Sequence, residues 1–141
     1  MKVVLISHSN MAVGMKQTLN MIIGDDKNVL AFAAYVNGST DEIEKVKKMV
    51  ETEKEQFIIL TDLLGGSVNN EMMQLLENNN NVKLVTGMNL PLAMQLQLKL
   101  STTDKLSDKE LAEIIDESKN ALANVKKLLV EKRMSEDDQV L

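Results

Sequence analysis

Cysteine and tryptophan are absent from this sequence, and histidine, proline and tyrosine each occur once in 141 residues. Without cysteine there is no disulfide, no thiolate nucleophile and no cysteine-built zinc site. A lone histidine excludes a multi-histidine metal site within one chain. Aromatic residues make up only 2%, so the core has to be built from Leu, Ile, Val, Ala and Met, and ten Met residues offer a soft, adaptable interior or contact surface. Cations are in the minority, 16 Lys and Arg against 21 Asp and Glu, for a formal net charge of −5. No basic run with interleaved aromatics offsets that balance, which argues against a nucleic-acid surface. No apolar run approaches the roughly 18 residues that a membrane-spanning helix needs. Met1-Lys2-Val3-Val4-Leu5-Ile6 is basic and then apolar, but Ser7-His8-Ser9-Asn10 ends the run too early for a signal-peptide core. The expected location is the cytoplasm.

What is present reads as one globular unit. Hydrophobic residues are 44% and charged residues 26% of the chain, a composition suited to a single packed domain. That domain is expected over residues 1–130, with an acidic tail over 131–141. Short β-branched runs alternate with helical periodicity. Lys2 to Ser7 predicts a buried strand. Met11 to Ile23 predicts a helix with Met11, Met15, Leu19 and Ile22 on one face and Gly24 as its C-cap. Val29 to Val36 predicts a second strand, closed by an Asn37-Gly38 turn. Ser39 and Glu42 have capping-box spacing ahead of a helix that turns Ile43, Val46, Met49 and Val50 inward. Phe57 to Thr61 is apolar throughout, as a central strand would be. Asp62-Leu63-Leu64-Gly65-Gly66-Ser67 then leads into a helix ending near Glu77, and Asn78 to Asn81 make a turn. Val82 to Thr86 predicts a fourth strand, and Gly87-Met88-Asn89-Leu90-Pro91 opens a fourth helix. A second capping box, Ser107 to Glu110, opens a long amphipathic helix with Leu111, Ile114, Ile115, Leu122, Val125 and Leu129 on one side. Met134 to Leu141 is acidic and expected to fray. The alternation implies a three-layer α/β fold: a mostly parallel sheet of four to five strands, order about 2-1-3-4, with helices on both faces.

In such a sheet, ligands bind beyond the carboxyl ends of the strands. Strand one ends at Ser7-His8-Ser9-Asn10, strand three at Asp62 and Gly65-Gly66-Ser67, and strand four at Gly87-Met88-Asn89. If strands one, three and four are neighbours, these loops share a rim. Imidazole is a nucleophile near neutral pH. It attacks phosphorus when one ring nitrogen is free and the other is held. Asp62 is placed to hold it, fixing the tautomer and stabilising the charge that develops. Gly65 and Gly66 allow close approach of backbone N–H groups, and Ser67 stands where a helix begins, an arrangement suited to phosphate. Each piece also has a plainer reading. A histidine at a strand end is more often structural, an Asp after a strand commonly caps a turn, and Gly-Gly-Ser serves equally as a tight loop and N-cap.

Three segments in order, Val4-Leu5-Ile6-Ser7-His8-Ser9, Thr61-Asp62-Leu63-Leu64-Gly65-Gly66-Ser67 and Val85-Thr86-Gly87-Met88-Asn89-Leu90-Pro91, resemble the enzyme IIA domain of the mannose-fructose-sorbose family of the bacterial phosphoenolpyruvate:sugar phosphotransferase system. The resemblance implies a phosphohistidine at His8, carried on Nε2, with Asp62 as its carboxylate partner. Ser67 matches the serine near the phosphate, and Gly65, Gly66 and Ser9 complete the expected phosphate-binding set. The donor would be the phosphocarrier HPr and the acceptor enzyme IIB, with the membrane components IIC and IID engaged indirectly. No cofactor and no metal are implied. A separate IIA subunit is expected, forming a homodimer that exchanges a C-terminal strand. Lys99 to Thr103 is the one stretch that could supply that strand. The sequence departs from the family where Ser9 replaces a frequent Gly and Val68 a frequent Pro. Two other readings stay open: the phosphocarrier subunit of a dihydroxyacetone kinase, and a receiver- or flavodoxin-like binding or signalling module. The second lacks both the acidic residues after strand one and the stacking aromatics it would need.

Overall fold

Four strands, β1 Lys2–His8, β2 Val29–Ala34, β3 Phe57–Thr61 and β4 Val82–Thr86, pair in parallel in the order β2-β1-β3-β4. The computed structural model describes residues 1–140, with side chains as far as Asp138. The fold is the three-layer α/β arrangement the sequence implied. Helices α1 Met11–Ile23, α4 Leu90–Lys99 and α5 Asp108–Asn120 pack on one face. Helices α2 Asp41–Thr52 and α3 Ser67–Met73 pack on the other. A last helix, α6, spans Val125–Val140.

Strand alternation explains the two cores. Val3, Leu5, Ile58 and Leu60 point to the α1, α4 and α5 side with Leu19, Leu92 and Leu96. Val4, Ile6, Phe57 and Ile59 point to the other side with Ile43, Val46, Val68 and Met72. Both faces of β1 and β3 are covered, so these strands read as uninterrupted apolar runs. Each fully buried Leu, Ile, Val or Phe contributes about 1.5–3 kcal/mol of transfer free energy, and the sheet centre is where they concentrate.

The chain runs from β1 outward to β2, then returns past β1 to β3. Successive crossovers therefore leave in opposite directions from the β1–β3 boundary, opening a crevice at its carboxyl end. Ile6 is level with Thr61 across that boundary, so His8 and Asp62 emerge side by side.

Several expectations are corrected. β1 runs on through His8, which pairs with Ala34, whereas β2 stops there. Val36 leaves the sheet because Tyr35 and Asn37 adopt left-handed backbone, φ 62° and 55°, around a 3-10 turn. The Ser39–Glu42 capping box does not form. The helix starts one residue later, with Thr40 at its N-cap, which shifts Glu42 out of the required position. Ser39 Oγ instead accepts from the Asp41 N–H at 3.1 Å, and Glu42 pairs with Lys45. The Ser107–Glu110 box forms in full. Along α1 the buried stripe is Ala12 and Leu19, backed by Met15 and Ile23, while Met11 and Ile22 face outward. α3 ends at Met73, and a 3-10 turn completes the stretch to Leu76. Lys99 to Thr103 is not a strand. It finishes α4 and turns, with the Thr102 and Thr103 N–H groups both donating to the Lys99 carbonyl. The sheet accordingly has four strands among the described residues. The long C-terminal helix is two helices, because the chain turns after Asn120. Leu111 and Ile114 are buried, but Leu122 falls in the break, Val125 and Leu129 lie beyond it, and all three are exposed. Residues 131–140 continue α6 instead of fraying, and Leu141 lies outside the described residues.

Candidate functional site

The site is built from three strand ends. β1 delivers His8 with its side chain 43% exposed, while the Asp62 side chain beside it is only 11% exposed. Asp62 Oδ2 accepts two hydrogen bonds, from the His8 backbone N–H and from His8 Nδ1, each at 2.8 Å. A carboxylate only accepts, so the geometry assigns the neutral ring's proton to Nδ1. Nε2 is then the free nitrogen. It lies 3.0 Å from Ser67 Oγ, whose hydroxyl donates to it. The imidazole is gripped at both nitrogens, by a charge on one side and a rotatable donor on the other.

Burial pushes the Asp62 carboxyl up, but the His8 backbone N–H, the ring hydrogen bond and the ring's charge together outweigh it. The net effect holds Asp62 below its ordinary value. It is therefore an anion throughout the neutral range, which is the form that selects the Nδ1–H tautomer.

The loop between β3 and α3 sets the remaining geometry. Gly65 has φ +78°, a left-handed turn that favours glycine. Gly66 has an ordinary φ, and the reason for glycine there is space. A Cβ on Gly66 would sit 3.3 Å from His8 Cε1 and 3.2 Å from the Leu63 carbonyl. Its N–H already donates to that carbonyl at 3.1 Å, so Gly66 makes room for the ring instead of offering a free donor. Ser67 opens α3, where first-turn N–H groups have no partner within the helix. Ser9 takes φ +52°, the conformation glycine adopts most readily. Its N–H is committed to the Ala34 carbonyl.

Residues outside the expected catalytic and phosphate-binding set hold this arrangement. Ser7, fully buried, accepts from the Ala12 N–H at 2.8 Å and donates to the Ser9 carbonyl at 3.2 Å, tying the histidine turn to α1. The Tyr35 ring lies 5.6 Å from the His8 ring, centroid to centroid. Tyr35 follows Ala34, the strand partner of His8, so its proximity could be read once the order β2-β1 was known. Asn89 caps α4 by accepting from the Leu92 N–H at 2.9 Å, a structural role on the same rim. Among the described residues no group of three or more His, Cys, Asp or Glu could hold a metal ion, and no helix is long and apolar enough to cross a membrane.

A parallel α/β sheet with a histidine clamped between carboxylate and hydroxyl at its switch point defines a class of protein suited to nucleophilic group transfer. A sequence model of the mannose-type enzyme IIA family, described as the phosphotransferase-system fructose IIA component, matches residues 2–115, and the chain belongs to this family. The fructose-specific EIIA component of Bacillus subtilis (strain 168) is 22% identical over 112 residues, covering 77% of this chain and 75% of that protein. The IIA protein associated with the fucose utilisation operon of Streptococcus pneumoniae is 30% identical, with a TM-score of 0.76 over 91% of this chain and 95% of its own. A structure from Klebsiella pneumoniae subsp. pneumoniae MGH 78578, assigned to a phosphoenolpyruvate-dependent sugar phosphotransferase permease, is 25% identical, with a TM-score of 0.80 over 91% and 93% of the two chains. Membership gives the protein a phosphotransferase role in phosphotransferase-system sugar transport.

Proposed function

We propose that His8 is the phosphoryl carrier of a cytoplasmic IIA subunit, accepting from phospho-HPr and passing the group to enzyme IIB. Nε2 attacks the phosphorus held on the HPr histidine. The new N–P bond forms as the HPr N–P bond breaks, and the HPr ring recovers its electron pair. His8 becomes positively charged as it is phosphorylated, with its Nδ1 proton retained against Asp62, and this charge is what the carboxylate stabilises. The Ser67 hydroxyl, no longer needed at Nε2, rotates to donate to a phosphoryl oxygen. First-turn N–H groups of α3, with Gly65 beside them, supply further donors. Transfer to enzyme IIB is the same displacement in reverse, with His8 as the leaving group.

The observation that carries this reading is the double grip on His8, 2.8 Å to Asp62 and 3.0 Å to Ser67. Macromolecular partners fit the surroundings. Exposed apolar side chains stand on the β3–α3 loop (Leu63, Leu64), at the start of α1 (Met11) and in the turn after β2 (Val36), a surface for another protein more than for a sugar. The test is incubation with phosphoenolpyruvate, enzyme I and HPr, followed by phosphate mapping. The expected product is an acid-labile, base-stable phosphate on His8 Nε2 that enzyme IIB removes. Label retained by His8→Ala would refute it, and discharge only to a nucleotide-bearing dihydroxyacetone kinase subunit would reassign the acceptor. We also infer a homodimer, supported by the exposed apolar side chains Val125, Leu128, Leu129 and Met134 along α6. Sedimentation equilibrium of the full chain should then give twice the chain mass, and a monomer at all concentrations would refute it.

A further inference from the structure

Behind the site lies a buried polar pair that the chemistry above does not use. Thr61 is the last residue of β3 and is fully buried, and Asn69 in α3 is 3% exposed. Thr61 Oγ1 donates to Asn69 Oδ1 at 2.8 Å. Apart from the His8–Ser67 contact itself, this is the one side-chain hydrogen bond joining α3 to the sheet among the described residues. The Thr61 carbonyl is also engaged, accepting from the Met88 N–H at 3.0 Å, so the residue is fixed from two directions.

Its position gives the bond a specific consequence. Thr61 immediately precedes Asp62, and Asn69 follows Ser67 by two residues on the same helical turn. The two gripping atoms, Asp62 Oδ2 and Ser67 Oγ, therefore stand on segments that this bond joins. α3 has only seven residues, too few to hold a fixed place by its own helical stability. Its apolar contacts through the buried Val68 and Met72 are non-directional. A hydrogen bond is directional, and in a dry interior it is costly to leave unmade.

Resting on the phosphoryl carriage argued above, we infer that Thr61 and Asn69 are positioning residues: their buried hydrogen bond sets the gap between Asp62 and Ser67, and with it the tautomer and aim of His8. Neither residue touches the reacting atoms. They act through the two that do.

Two substitutions separate positioning from packing. Thr61→Val keeps the volume and removes the donor, whereas Thr61→Ser keeps the donor and removes a methyl. Phosphoryl transfer from HPr is expected to fall about tenfold in Thr61→Val, as for a sub-ångström misplacement of a reacting group, and to stay within about twofold in Thr61→Ser. A packing role reverses that order, because only the Ser variant leaves a void. A second readout is independent of transfer. Side-chain ¹⁵N spectra at alkaline pH are expected to show His8 as the Nδ1–H tautomer in the unsubstituted chain and in Thr61→Ser, and as a tautomer mixture in Thr61→Val. Asn69→Leu removes the same bond from its other end and carries the same expectation should Thr61→Val not fold. Undisturbed transfer and tautomer in the Val and Leu variants would overturn the inference, as would the reverse ranking. If the unsubstituted chain accepts no phosphate, the carriage reading fails, while the tautomer comparison still decides the positioning role.

Discussion

Asp62→Asn is the substitution that asks most of the site. The side chain keeps its size, and one amide oxygen remains to face the two N–H groups that Asp62 Oδ2 now receives at 2.8 Å each. The lost feature is the charge. On the proposed mechanism, phosphorylation at Nε2 leaves the ring cationic, so the carboxylate would stabilise the transition state more than the ground state. Unit charges about 4 Å apart are worth about 4 kcal/mol at the effective dielectric of a protein surface. The His8 side chain is 43% exposed, and solvent screening at such a site reduces this to roughly 2 kcal/mol. That is a loss of about 30-fold in rate. The loss deepens if the amide turns its NH₂ toward Nδ1, because the ring then moves its proton to Nε2 and the nucleophile is blocked. The assay is rapid-quench transfer from phospho-HPr, with circular dichroism to verify that the sheet is intact. A folded Asp62→Asn chain that transfers within about threefold of the unsubstituted rate would refute the electrostatic reasoning.

The same residue has a pH signature. Its folded carboxyl sits below the unfolded value, so the stabilisation it gives is full above the ordinary carboxylate pKa and is lost as pH falls through the folded one. Urea unfolding of the unsubstituted chain and Asp62→Asn between about pH 5 and about pH 2 should show their stability difference shrinking toward acid; a difference that is constant or grows would contradict this. Gly66→Ala places a methyl 3.2 Å from a backbone carbonyl and 3.3 Å from the His8 ring. It should destabilise by about 1 kcal/mol and displace His8 enough to slow transfer about tenfold, read by urea midpoint and quench kinetics. Unchanged transfer would show that the ring does not need that space.

Much of the architecture was legible locally. The apolar runs at Lys2 to Ser7, Phe57 to Thr61 and Val82 to Thr86 have strand length and are each followed by a helical pattern, and all three form strands. The Ser107 box forms because its helix begins where the pattern places it, whereas the Ser39 box fails by a single residue of helix start. Two breaks were harder to place. The turn at Ala121 to Asn124 interrupts a stretch whose periodicity continues across it, and Val36 leaves the sheet through left-handed backbone at a tyrosine, a residue with no propensity for it.

At the site, residue types could be read from the chain and distances could not. The sequence by itself determined which groups were on offer: a single imidazole, with an acid and a Gly-Gly-Ser loop as its available company, and neither a thiol nor a second histidine. It also determined a parallel sheet, through short apolar strands separated by helices. Tertiary structure alone decided which atoms meet. Asp62 is 54 positions from His8 and Ser67 is 59; only the parallel β1–β3 register brings them to either side of the ring. The buried Thr61–Asn69 bond and the close approach at Gly66 belong to that second category. They depend on how a seven-residue helix docks on the end of a strand, and no local pattern encodes that separation.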